Sequence, residues 1–84
     1  MPYYTYILQS ESNGQLYIGQ TNNLEDRIER HNKNRNRYTK GRGPWNIIFS
    51  KEFATRSEAM ALELQLKSWK NKGKILEWVK AQAG

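Results

Sequence analysis

The change of hydrophobic period inside QLYIGQTNNLEDRIERHN, residues 15–32, constrains the fold more than any other feature of the chain. Residues 15–21 are aromatic or β-branched enough to predict a strand. From Leu24 the apolar spacing becomes helical, with Ile28 four residues on. Asn22 or Asn23 is a suitable N-cap, and Glu25 and Asp26 suit the positive end of a helix. A strand therefore runs into a helix through a corner of one or two residues. Upstream, YYTYILQ predicts another strand and SESNG supplies turn chemistry, so the two strands are expected as an antiparallel hairpin.

The rest of the chain extends this unit. NKNRNRYTKGRGP, residues 32–44, is polar, basic and punctuated by Gly41, Gly43 and Pro44, which marks a loop long enough to suspect a function. PWNIIFSKEF predicts a third strand, with Pro44 at its permitted first position. In TRSEAMALELQLKSWK, Thr55 and Glu58 have capping-box spacing, and Ala59, Leu62, Leu66 and Trp69 form a helical core stripe. Gly73 is expected to interrupt this helix, and KILEWVKAQ to form a short last one with Ile75, Trp78 and Val79 on one face. The expected order is β-β-α-β-α-α, an α+β fold with a small three-stranded antiparallel sheet flanked by helices. Its 84 residues suit one domain, 1–84. A domain of this size buries only ~60% of the surface of its unfolded chain, so three Trp, five Tyr and two Phe must help fill a thin core.

Several function classes drop out. The chain has no Cys, which excludes disulfides, thiolate zinc sites and a thiol nucleophile. The start lacks a basic n-region and a long apolar run, and no segment approaches the ~20 apolar residues of a membrane span. A soluble, cytoplasmic protein with no membrane partner is the expectation. The net charge of +6 points to a polyanion, most often nucleic acid. The distribution of charge favours that over mere solubility. From Arg30 to Arg42 every charged side chain is basic, and Lys67, Lys70, Lys72 and Lys74 form a second group.

Few residues stand out as candidates for chemistry. Arg27 and His31 fall at i+3 and i+7 from Leu24, beside the buried face of their helix. An Arg directed there needs an anion, either an internal carboxylate or a phosphate, and spacing does not choose between them. A lone His is more often structural than catalytic. Tyr6 and Tyr17 are expected on adjacent strands, where tyrosines commonly fill space. Gly19 inside a strand marks a close approach by a ligand or another backbone. Glu63 could form an i,i+4 ion pair with Lys67 or hold a divalent metal by one carboxylate.

Taken together, YTYIL at residues 4–8, LYIGQTNNLEDRIERHN at 16–32, YTKGRGPW at 38–45 and SEAMALELQLKSW at 57–69 resemble the GIY-YIG nuclease superfamily, in particular its small stand-alone bacterial members. The first motif here is Tyr4-Thr5-Tyr6, so only its tyrosine matches. The resemblance implies hydrolysis of phosphodiester bonds in DNA, in repair or processing. It implies that Tyr6 activates or orients the attacking water, helped by nearby positive charge that would lower its phenol pKa. Tyr17 would bond to the phosphate or the water. Arg27 would stabilise charge in the transition state, and His31 would bond to the phosphate or to Tyr6, or shuttle a proton. Glu63 would hold one divalent ion, magnesium or manganese. Gly19 would keep the groove open, while Lys40, Arg42, Lys67 and Lys70 would grip flanking phosphates. Asn71 is the only candidate for a late asparagine of the family site. Without an added recognition domain, the chain is expected to have low intrinsic specificity, to depend on branched or damaged DNA shape, or to borrow targeting from a protein partner. The alternatives are a non-catalytic nucleic-acid-binding module that keeps the fold, and a scaffold domain whose charge serves solubility.

Overall fold

The computed structural model describes residues 2–33 and 43–83. Its elements follow the expected order: β1 (Tyr3–Ser10), β2 (Leu16–Thr21), α1 (Leu24–Asn32), β3 (Trp45–Phe53), α2 (Arg56–Trp69) and α3 (Lys72–Ala83). The sheet is antiparallel throughout, with strand order β2-β1-β3. The most apolar strand, β1, is therefore central and buried on both faces, as its run of buried residues from Thr5 to Leu8 requires.

The two faces carry different layers. Ile7 and Ile18 pack with Leu66 of α2 and Ile75 of α3. On the opposite face Tyr6, Leu8 and Trp45 form a second cluster with Tyr17 and with Leu24 and Ile28 of α1. The apolar spacing that identified α1 is thus the spacing that docks it. Consecutive strand residues normally point to opposite faces. A bulge opposite Ile7 and Leu8 inserts Ile48 into β3, and Ile48 and Phe49 both pack against the α2/α3 cluster.

Local chemistry sets the joints. Gly14 closes the hairpin turn with φ of 74°, which an L side chain adopts only with strain. The Asn23 side chain caps α1 by accepting from the Asp26 amide at 3.1 Å. Thr55 and Glu58 form the expected capping box on α2. Thr5 then ties α2 to the sheet by donating to the Ala59 carbonyl at 2.7 Å.

Two expectations need correction. Gly73 does not interrupt the long helix. The break falls at Lys70, which takes the left-handed conformation, and Gly73 lies in the first turn of α3. The cause is the cap of α3: Asn71 accepts from the Lys74 amide through its side chain and from the Ile75 amide through its carbonyl, so the chain must turn before it. Pro44 stands just ahead of β3 rather than in it, where its carbonyl accepts from the Glu11 amide at 2.9 Å. The basic loop predicted over residues 32–44 falls largely outside the described residues.

Candidate active site

Strand register builds the first part of the site. Tyr6 on the central strand lies opposite Gly19 on the edge strand, and Leu8 lies opposite Tyr17. A Cβ at position 19 would fall 2.6 Å from the Tyr6 Oη and 3.2 Å from the Tyr17 ring. The room that glycine leaves is therefore taken by the Tyr6 phenol, which crosses β2 toward the edge of the sheet. The Tyr6 and Tyr17 ring centroids are 6.2 Å apart.

Helix α1 supplies the second part. His31, at its last turn, has no exposed surface. Its ring lies 4.5 Å from the Tyr17 ring, and its Nε2 shares a hydrogen bond of 3.1 Å with the Tyr6 Oη. One turn earlier, Arg27 reaches the same group: its positive charge acts on both Tyr6 and His31. Burial and the Arg27 charge push His31 down to about 4, so its imidazole is neutral.

Tyr6 departs from expectation. Burial, then Tyr17 and the carboxylate of Glu63, raise its phenol pKa well above the ordinary value, and Arg27 offsets only part of this. The lowered pKa that a phenolate base requires is not what the folded chain provides. Tyr6 stays protonated and, like His31, fully buried.

Among the described residues Arg27 has no carboxylate partner. Asp26 pairs with Arg30, Glu29 with Lys33 and Glu63 with Lys67, and none of these acids serves Arg27. Its Nε is buried and has no hydrogen-bond partner among the described residues. An unmet charged donor is costly to bury, so the arginine is better explained by an external anion than by the core.

Glu63 comes from the opposite side of the sheet. It makes the local ion pair with Lys67 at 2.9 Å, yet its side chain is only 18% exposed and its charge reaches Tyr6. No cluster of three His, Asp or Glu occurs among the described residues, so there is no all-protein metal cage. A single hard carboxylate still fits magnesium, which commonly binds through one carboxylate, water and a substrate phosphate. Glu63 would hold such an ion after releasing Lys67, an i,i+4 helix pair worth only ~0.3–0.5 kcal/mol.

The basic residues divide. Lys67 and Lys70, with Lys72, line a cleft of about 720 Å³ that also exposes Tyr17 and runs beside β2. Asn71 lies in the same cleft, but its side-chain oxygen is engaged in capping α3. Lys40 and Arg42 lie outside the described residues.

Two residues escaped the sequence reading. Asn32 clasps the backbone of Trp45, accepting from its amide at 2.6 Å and donating to its carbonyl at 3.2 Å, which fastens the end of α1 to the start of β3. Arg56 joins Arg27 in lining a cavity of about 140 Å³ at the other end of β2. A signal for Arg56 existed: a cation in the first turn of a helix opposes the macrodipole.

Comparison with known proteins supplies a frame for this geometry. Residues 2–76 match the GIY-YIG catalytic domain. A UPF0213 protein of Oceanobacillus iheyensis is 42% identical over 66 residues, covering 77% of this chain and 76% of that protein. A UPF0213 protein of Bacillus pumilus is 39% identical over 75 residues, covering 88% of this chain and 76% of that one. The solution NMR structure of a UPF0213 protein from Bacillus halodurans superposes with a TM-score of 0.64 at 32% identity, covering 100% of this chain and 88% of that one.

Proposed function

The chain belongs to the GIY-YIG family, whose catalytic domain implies nuclease-type chemistry, and we propose that it is an endonuclease hydrolysing phosphodiester bonds in DNA with one divalent ion. The observation that carries this reading is the buried Arg27 Nε without a partner, beside Tyr6, Tyr17 and His31. Such a donor fits a phosphate oxygen, and most strongly the extra charge of a five-coordinate transition state.

The residues take distinct parts. Arg27 binds the scissile phosphate. Tyr17, half-buried in the cleft, presents its hydroxyl to the phosphate or the attacking water. Tyr6 works as a neutral hydrogen-bonding group held in place by His31, orienting rather than deprotonating. Glu63 would hold the metal, magnesium or manganese, which supplies electrostatic stabilisation of the phosphate oxygens when bound. Lys67 and Lys70 draw the flanking backbone into the cleft. We assign the whole activity to a single domain over residues 1–84, acting in the cytoplasm on branched or damaged DNA during repair or processing, with targeting lent by a protein partner. No helix among the described residues is long and apolar enough to cross a membrane.

The competing reading, a non-catalytic nucleic-acid-binding module, draws on the ion pair that occupies Glu63. Plasmid and flapped or branched oligonucleotides, incubated with and without magnesium or manganese, separate the two. The nuclease reading expects metal-dependent nicking that falls by about 10²–10³ in Arg27→Ala. It expects nicking to vanish in Glu63→Gln and to drop in Tyr17→Phe. DNA retained but never cut under any metal would make the binding module the correct reading.

A further inference from the structure

Edge strand β2 has a cavity at each end. Toward residues 15–18 lies the lysine-lined cleft, and toward residues 20–22 lies the smaller cavity of Arg27 and Arg56. Gly19, crossed by the Tyr6 phenol, stands between them. The smaller cavity is further lined by Tyr3, Gln20, Thr21 and Asn22, so its lining includes two arginines and no acidic residue. Neither arginine forms an ion pair with any described residue. Two arginines and no acid along one space of about 140 Å³ leave positive charge there for an anion to neutralise. Arg56 also stands in the first turn of α2, where the helix dipole disfavours a cation. The partnerless Arg27 Nε and the position of Arg56 at the start of α2 are both eased by one anion.

We propose that Arg56 is a second guanidinium at the phosphate that Arg27 binds, the two arginines forming one pocket for a phosphate of the nucleic-acid strand. The proposal rests on the nuclease reading for the identity of the strand, though not for the chemistry of the pocket. Two guanidinium forks match the oxygens of one phosphate. A strand laid along the edge of β2 would run from the lysine cleft past Gly19 into this pocket. The phosphate is either an internal diester or a terminal monoester, and both present the same oxygens.

The test reads binding without metal. In wild type, inorganic phosphate should shift the Arg27 Nε–Hε NMR signal to saturation. Arg56→Gln should weaken this at least about tenfold, as loss of a charged hydrogen bond implies. Arg56→Lys, which keeps the charge but not the fork, should fall between, and Lys80→Gln on the outer face of α3 should match wild type. No saturable shift, or an Arg56→Gln titration equal to wild type, overturns the pocket. Two oligonucleotides of one sequence, with and without a terminal phosphate, then assign the source. An equal penalty for both in Arg56→Gln identifies an internal diester, and a penalty confined to the phosphorylated one identifies a terminal monoester. A penalty on neither removes the pocket. If phosphate binds here and DNA is never cut, the nuclease reading falls and the pocket stands. If DNA is cut and no phosphate binds, the reverse holds.

Discussion

His31 has no solvent-exposed surface and a neutral ring, and this makes the fold itself sensitive to acid. The unfolded chain takes up a proton near pH 6.5, whereas the folded one resists until about 4. Stability is therefore fully present above 6.5 and is lost as pH falls toward 4, by up to about 3 kcal/mol. Urea unfolding across that window should show this slope, and His31→Gln should flatten it. Tyr6 acts at the other limit: its raised pKa keeps the folded form protonated while the unfolded phenol ionises above 10, so stability falls again in strong base. Gly19 gives a second expectation. Gly19→Ala drives a methyl into the Tyr6 phenol and should cost about 1–3 kcal/mol, measurable by denaturation, and reduce nicking with it. The proximity of Arg27 and His31 was legible in the sequence because helical spacing is local. The direction of the Tyr6 shift was not, because the burial and the Glu63 charge that set it arrive from other elements.

Helix and strand identities were legible for a similar reason. Caps, turn residues and apolar periods are written into adjacent positions, and Asn23, Thr55 and Glu58 cap as their spacing implies. The α2–α3 break shows where this fails. Glycine is the ordinary left-handed residue, so Gly73 was the natural choice, but the cap at Asn71 places the turn at Lys70. Lys70→Gly should relieve left-handed strain of about 1–2 kcal/mol, less the entropy glycine adds to the unfolded chain. A net gain of roughly 0.5 kcal/mol is expected in thermal unfolding. The same change should weaken DNA binding, since Lys70 lines the cleft. Gain in stability with loss of affinity would separate the two roles of this residue. Trp78 packs the last helix on its own domain: its ring lies 4.8 Å from Phe49 of β3 and 6.1 Å from Trp69 of α2.

Taken over its full length, the chain carries a net charge of +6 and gathers Lys67, Lys70 and Lys72 along one cleft beside β2. Binding to DNA should then fall steeply with salt. Each phosphate neutralised contributes about 0.9 to the slope of log affinity against log salt. Lys67→Gln and Lys70→Gln should each lower that slope by about 1 in an anisotropy titration, with little dependence on sequence. A slope unchanged in both variants would remove the cleft from the binding surface. The charge balance pointed to a polyanion, but composition carries no positions, so which lysines face a common groove emerged only once α2 and α3 were set beside β2.

The residue order alone established the elements, their succession, the caps and the basic character, because each depends on neighbours within a turn or a strand. The family resemblance was legible on the same local motifs. Packing decided the rest. It placed the Tyr6 phenol over Gly19 and against His31, left the Arg27 Nε without a partner, and joined Arg56 to Arg27. These are relations between residues tens of positions apart. Burial and charge acquire their energies only when the chain closes around them, so no local pattern records them.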